Sequence, residues 1–250
     1  MSADHYITDS DMKAVADAIR TKGGTTAPLS FPTGMVQAIY GIQGGHEMED
    51  GFISGTTSSY VNDTATSIRS YMSYRSNALQ YVNISNATTV GAYAFYFCGN
   101  LRSANFRRAR DIQEYAMSYC TSLKSAVVPQ ARTIGDYAFY GCNALLSMDL
   151  PNATSIGENA FDGCTSMTTV KLAKATSILD FAFYDCSSLT KLIIGTRSVA
   201  SAGNGILDRA NQCQIYVPDN LVNTYRNTQG WRTYSSRIHK MSELPANERL

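Results

Sequence analysis

Charge is scarce in this chain. Only 16% of its 250 residues are Asp, Glu, Lys or Arg, and the net charge is +1. No basic excess exists to hold a nucleic acid or an anionic membrane, so neither is expected as a partner. Histidine is limited to His5, His46 and His239, and no two cysteines form a Cys-x-x-Cys pair, which argues against zinc. No apolar run reaches the roughly 18 residues that a membrane-spanning helix needs. The opening MSADHYITDSDMK has no apolar stretch of the kind a secretory leader carries, so export by that route is not expected. A Gly-x-Ser-x-Gly elbow, a phosphate loop and a dinucleotide fingerprint are all missing. These gaps leave no catalytic residue, cofactor or metal to assign, and the chain is not expected to be an enzyme.

What the chain has is a period. Cys98, Cys120, Cys142, Cys164 and Cys186 are each 22 residues from the next. Other columns keep step with them. Ala94, Ala116, Ala138, Ala160 and Ala182 are one; Phe95, Met117, Phe139, Phe161 and Phe183 are the next. Leu101, Leu123, Leu145, Met167 and Leu189 follow each cysteine, and Val90, Ile112, Ile134, Ile156 and Ile178 precede it. A weaker unit comes first, with Ile68, Leu79, Val82 and Ile84 in place and Ser76 where cysteine is due. A fixed period of this length means one supersecondary unit stacked on itself. Such a unit cannot bury its apolar face alone, and stacking supplies the partner.

Within a unit the pattern is L-x-x-φ-x-φ, a turn, then I-G-x-Y-A-F-x-x-C. The φ-x-φ stretch has the period of a strand. Ala-Phe-x-x-Cys is too short for an α-helix and reads as a single helical or 3-10 turn. Gly135 and Gly157 stand just before it, where a special backbone angle is expected.

Residues 134–155, IGDYAFYGCNALLSMDLPNATS, and 156–177, IGENAFDGCTSMTTVKLAKATS, resemble the BspA-type leucine-rich repeat. The resemblance covers about residues 64–199. It implies an α/β leucine-rich-repeat solenoid of about six 22-residue units, with a parallel β-sheet on the concave face and short helical or 3-10 turns opposite. Leu179 and Gln113 replace the glycine, so those turns are expected to differ. Residues 7–42 resemble an N-terminal segment of phage and prophage structural proteins from Gram-positive hosts. Their own pattern gives a helix near residues 11–21, stopped by Gly23 and Gly24, and a second short helix from Pro32. Residues 1–45 thus read either as an attachment or oligomerisation segment or as a cap, and residues 46–63 as a linker with one strand near Gly51. Residues 215–244 resemble the end cap of the same repeat family, so residues 200–250 form a strand-helix cap. There Gln214–Val217 is a strand, a helix starts near Asp219, and Trp231 is a packing anchor. Residues 245–250 are expected to fray.

The cysteine column allows disulfides between coils or a ladder of buried thiols. The thiol ladder is favoured, because free cysteine packs as a small apolar group. Glu114, Asp136, Glu158 and Asp180 form a carboxylate column, read as a solvated rim rather than a calcium chain. Two tyrosine columns remain. Tyr71, Tyr93, Tyr115 and Tyr137 adjoin the core; Tyr74, Tyr96, Tyr140 and Tyr184 are expected to be the more exposed, as a recognition stripe or as padding. Outward strand positions vary between units, as a reading face would: Tyr81, Asn83, Arg102, Asn105, Lys124, Val127, Asp149, Lys171, Lys191 and Ile193. Arg107, Arg108 and Arg110, with Arg132 one unit later, make a basic patch, read either as a site for an anionic cell-wall polymer or as ordinary solvated charge offset by nearby Asp111 and Glu114.

The expected function is non-enzymatic recognition of a bacterial surface by a phage or prophage tail protein located in the virion. Its partners would be a surface glycan, cell-wall polymer or protein receptor. Other tail proteins would be met through the N-terminal segment, and a homo-oligomer, by analogy a trimer, is allowed for. Two alternatives stay open. One is a structural tail or baseplate component; the other is an extracellular adhesin of the BspA type.

Overall fold

The computed structural model describes residues 58–250. The readings placed on residues 1–57, including the two N-terminal helices and the strand near Gly51, lie outside the described residues. The chain divides into two units, Met1–Ser54 and Gly55–Leu250, and the second holds the solenoid.

Each coil contributes strands to two parallel ladders. The first runs through β1 (Ser59–Val61), β2 (Tyr81–Asn83), β4 (Ser103–Asn105) and β6 (Ser125–Val127). It resumes with β8 (Ser147–Asp149), β10 (Thr169–Leu172), β12 (Lys191–Ile194), β14 (Gln214–Val217) and β15 (Ile238–Lys240). The second joins six two-residue strands, from β3 (Thr89–Val90) through β5 (Asp111–Ile112), β7 (Thr133–Ile134), β9 (Ser155–Ile156) and β11 (Ser177–Ile178) to β13 (Ser201–Ala202). Pairing is in register, so Val82 meets Ala104 and Ala104 meets Ala126. The parallel solenoid expected from the repeat is therefore present. The second ladder was not expected, because a two-residue strand is too short to show alternation in sequence.

The stack also runs past the 22-residue units. β1 pairs with β2, so a strand lies in the segment read as a linker. At the other end β14 and β15 continue the first ladder, β14 at the expected residues. Beyond Ile194 the coils lengthen: Ser177 pairs with Ser201 and Lys191 with Gln214.

The Ala-Phe-x-x-Cys segment is not helical. Its amide groups alternate between two partners. Ala116, Ser118 and Cys120 close turns onto Gln113, Tyr115 and Met117. Tyr115, Met117 and Tyr119 instead donate to Asp136, Ala138 and Tyr140 of the next coil. A helix would use every amide within the segment; stacking takes half of them away. The alternation needs left-handed backbone twice per coil, at Tyr71, Tyr93, Tyr115, Tyr137, Asn159 and Phe181, and at Arg75, Phe97, Tyr119, Gly141, Gly163 and Asp185. The special angle thus falls two residues after Gly135 and Gly157, not on them. Those glycines serve close approach. A Cβ on Gly157 would lie 2.6 Å from the Asp136 nitrogen and from the Gly135 carbonyl carbon. Gln113 and Leu179, at the same position, keep the same backbone bonds to Val90 and Ile156, so those coils admit a Cβ without losing the ladder.

The core is the set of repeated columns, each fully buried. All six cysteines are free and buried. Each sulfur of the repeat donates to a carbonyl of the coil before it: Cys120 to Phe95 at 3.1 Å and Cys142 to Met117 at 3.1 Å. The last coil is closed by Trp231, whose Nε1 donates to the Ala200 carbonyl, and by Tyr225 of α1 (Val222–Asn227), which packs edge-on against it at 5.1 Å.

Gly157→Ala is expected to cost about 1–3 kcal/mol in chemical denaturation. Gly99→Ala, whose Cβ meets only Thr121 Oγ1 at 3.7 Å, is expected to cost far less. Burial pushes the Cys142 and Cys213 thiols up to about 12. A thiol whose folded pKa exceeds its unfolded value stabilises fully below the unfolded pKa of about 8.5, and that contribution is lost as pH rises toward the folded value. Melting temperature should therefore fall steadily above about pH 9. Thiol titration should find none reactive in native protein at pH 8 and all six in denatured, unreduced protein.

Candidate functional site

The residues read as a recognition surface separate into three groups. The first lies on the outer face of the first ladder. Tyr81, Ser103 and Ser125, then Ser147, Thr169 and Lys191, make one outward column; Asn83, Asn105 and Val127, then Asp149, Lys171 and Ile193, make the other, each paired in register within its half of the ladder. Tyr81 is 46% exposed and Val127 41%. Asn83 and Asn105 sit side by side, each with a buried Oδ1 that has no hydrogen-bond partner among the described residues. Arg102 and Lys124 precede their strands by one residue. They are exposed and adjacent, but they stand outside the two columns.

The chain itself occupies the far end of this face. Residues 245–250 do not fray. Ala246–Glu248 forms a 3-10 turn, Glu248 pairs with Lys191, and Lys171 Nζ lies 3.5 Å from the Arg249 carbonyl. Arg249 donates to the carbonyls of Leu244 and Ser242, both at 2.8 Å. Leu250 lies over Gly195, and Ile193 is fully buried although its column points outward. Lys171 and Lys191, expected to face a partner, are thus engaged by the tail. The open part of the face is the stretch from Tyr81 to Asp149.

The second group is aromatic. Tyr71, Tyr93, Tyr115 and Tyr137 stack in sequence at 5.0, 4.8 and 4.8 Å with planes within 9° of parallel. Tyr74 stacks on Tyr96 at 5.2 Å, and Phe97 on Tyr119 at 4.4 Å. Tyr96 meets Tyr93 and Tyr119 edge-on, and Tyr140 meets Tyr119 likewise, which joins the columns into one sheet of rings. Tyr74, Tyr96, Tyr140 and Tyr184 were expected to be the more exposed set; both tyrosine columns are half-buried. Stacking covers one face of each ring whichever column it occupies. Burial, and next Tyr71, push the Tyr93 hydroxyl up to about 12; burial, and next Tyr119, do the same for Tyr140. Both hydroxyls therefore stay protonated at physiological pH. At its C-terminal side Tyr184 lies under Arg209, and Asp162 takes the tyrosine position. Burial and the neighbouring Asp185 raise that carboxyl to about 6, against the opposing pull of Arg209.

The third group is the corner between the ladders. Arg107, Arg108 and Arg110 line a cleft of about 570 Å³ with Asn86, Thr88 and Gln130. Arg132 stacks on Arg110 through a backbone bond of 2.7 Å.

The carboxylate column has a role beyond a solvated rim. Asp136 Oδ1 accepts the Glu158 amide, and Asp180 Oδ1 accepts that of Asn204, both at 2.8 Å, so these side chains tie successive coils. Among the described residues, no three His, Cys, Asp or Glu side chains gather to hold a metal ion. No described helix is long and apolar enough to cross a membrane.

Two in-register parallel ladders over a column-built core define a parallel β-solenoid of the leucine-rich-repeat class. The profile described as "BspA type Leucine rich repeat region" matches residues 53–152 and 132–228 in six copies. The chain belongs to the BspA-type leucine-rich-repeat family. Among solved structures it is similar to a leucine-rich-repeat protein of T. pallidum, at 23% identity and a TM-score of 0.57, over 66% of this chain and 78% of that one. A leucine-rich cell surface protein from Faecalibacterium prausnitzii A2-165 matches at 17% identity and TM-score 0.43, over 70% and 61% of the two chains. A leucine-rich-repeat protein from Bacteroides ovatus matches at 16% identity and TM-score 0.32, over 74% and 66%. No curated protein matches.

Removal of residues 245–250 should lower the melting temperature by about 2–4 °C, from the lost tail contacts and the exposure of Ile193. Hydrogen exchange should then rise in Lys191–Ile194 and not in Tyr81–Asn83.

Proposed function

We propose that this chain is a non-catalytic recognition protein whose solenoid binds a bacterial surface, carried there on a phage tail. The observation that carries the recognition role is the tyrosine array. Tyr71, Tyr93, Tyr115, Tyr137, Phe97 and Tyr119 of the array sit on left-handed backbone, a conformation that costs a side-chain-bearing residue about 1 kcal/mol. The fold does not require tyrosine there. One coil on, Asn159 holds the same site with the same φ, and Gly141 and Gly163 replace Phe97 and Tyr119 in their column. The rings in the first coils are therefore present for the surface they offer. Neutral, rigid, half-exposed tyrosines give contact area at low entropic cost and a hydroxyl at each edge, which suits a glycan or a protein receptor.

Carriage on a tail is supported by the likeness of residues 7–42 to phage structural proteins. Family membership favours a second reading, an adhesin at the bacterial surface. Both use the solenoid in the same way and differ in what displays it.

The labelled full-length protein is expected to bind some strains of Gram-positive bacteria and not others. Tyr93→Asn/Tyr115→Asn, which copies a residue the fold already accepts, should weaken that binding by about tenfold or more without lowering the melting temperature appreciably. A variant lacking residues 1–45 should keep cell binding and lose association with tail particles. Full cell binding by the tyrosine variant would remove the array from the recognition role. Association with tail proteins and no cell binding would make the chain a structural tail component.

A further inference from the structure

The arginine cleft has its own cause in the repeat. At the corner between ladders, the second turn residue can tie its coil to the one below. Asn86 Nδ2 donates to the Asp63 carbonyl, and Asn152 Nδ2 to the Pro129 carbonyl at 2.9 Å. In the two coils between, Arg108 and Gln130 hold that position and neither side chain makes such a bond among the described residues; at Arg108 the backbone amide takes the Ser85 carbonyl at 3.2 Å, which leaves the guanidinium free of that tie. The cleft lies at these two coils.

The charge in it is unbalanced. Among the described residues Arg107, Arg108 and Arg110 take part in no ion pair. Of the nearest carboxylates in sequence, Asp111 accepts Gln113 Nε2 at 3.5 Å and Glu114 follows three residues later, and neither pairs with these arginines among the described residues. Guanidinium groups gathered on one coil repel one another unless an anion lies between them. The fold does not ask for them. The same corner positions hold Ser85, Pro129, Pro151 and Ala173, or Asn86, Gln130, Asn152 and Lys174, in the other coils.

We propose that this cleft binds a polyol-phosphate polymer, with Arg107, Arg108 and Arg110 gripping successive phosphodiesters. Three arginines lining one cleft suit a phosphodiester, whose two free oxygens can each take a donor, and an arginine fork matches phosphate geometry. Besides Pro129, the remainder of the lining is the side chains of Ser85, Asn86, Thr88 and Gln130, whose amides and hydroxyls complement a polyol spacer while their carbons and the proline meet its CH groups. No aromatic ring lines the cleft, so it lacks the stacking platform that a single-stranded nucleic acid uses. Arg132, one coil along, extends the track in the direction of the stack, where coils are about 4.8 Å apart.

The site stands apart from the tyrosine array, and its test is separate. A fluorescent glycerol-phosphate oligomer is titrated into the full-length protein and followed by anisotropy. Binding is expected, and it should weaken as salt is raised. Arg107→Gln/Arg108→Gln/Arg110→Gln should bind at least about tenfold more weakly at an unchanged melting temperature. Arg197→Gln/Arg232→Gln, which removes two exposed arginines elsewhere, should bind as the parent does. The proposal is overturned by no binding to the parent, by full binding to the triple variant, or by an equal loss in the control. Equal affinity for polyglutamate would also overturn it, because the cleft would then respond to charge alone. Cell binding by the triple variant reports on the tyrosine array independently.

Discussion

Everything in this solenoid depends on coils that repeat in register. Because each buried column meets a copy of itself in the next coil, a side chain must pack against its own kind on both sides. That constraint selects alanine where backbones come close and flat aromatic rings where they can slide face to face, as Phe139, Phe161 and Phe183 do at 5.2 and 5.4 Å. It also explains the cysteines. The carbonyl of Phe95 already accepts the Cys98 amide and has a second lone pair to satisfy. Cys120 supplies a weak donor from a side chain small enough for the column. Serine at the head of the column, Ser76, turns its hydroxyl to the Leu79 amide instead.

The same stacking shapes the surface. Half of the amides in each turn segment are claimed by the following coil, so the segment alternates between ordinary and left-handed backbone. The left-handed sites point their side chains along the flank of the stack, and the core does not care what they are. Tyrosine, asparagine, phenylalanine and glycine all occupy them. The corner that carries the arginines is equally permissive, since its backbone bonds to the neighbouring coil form whatever the side chain. Recognition chemistry can therefore vary at the flank and the corner without disturbing the apolar columns beneath.

Much of this was legible in the sequence. The columns from Val90 to Leu192 fix the period, the parallel stack and the buried thiols, because a period is a long-range pattern and survives substitutions at single sites. Short-range features were harder to read. Two-residue strands such as Thr133–Ile134 have no alternation to detect, and the helical look of Ala-Phe-x-x-Cys misleads because its amides are spent outside the segment. Coils beyond Ile194 escaped the count when their length shifted from the common period. Of the residues read onto the strand face, Tyr81, Asn83, Asn105, Val127 and Asp149 lie on its two columns, while Arg102 and Lys124 fall one residue before their strands. What no local pattern could reveal is that Glu248 would return to Lys191 across 57 residues and cover one end of that face.

The pairing at a 22-residue offset across the central coils also makes the molecule a ruler. Adding or deleting one whole unit on the C-terminal side leaves every column intact and moves the tyrosine array and the arginine corner away from or toward the C-terminal cap by one strand spacing, about 4.8 Å. An extra residue or two is absorbed in the turns, as in the longer coils beyond Ile194, whereas a one-residue slip within a strand would turn its buried side chains outward. Among chains built this way, reach can change only in whole steps, and a target with a regular repeat of its own selects for the number of steps as much as for the residues displayed on them.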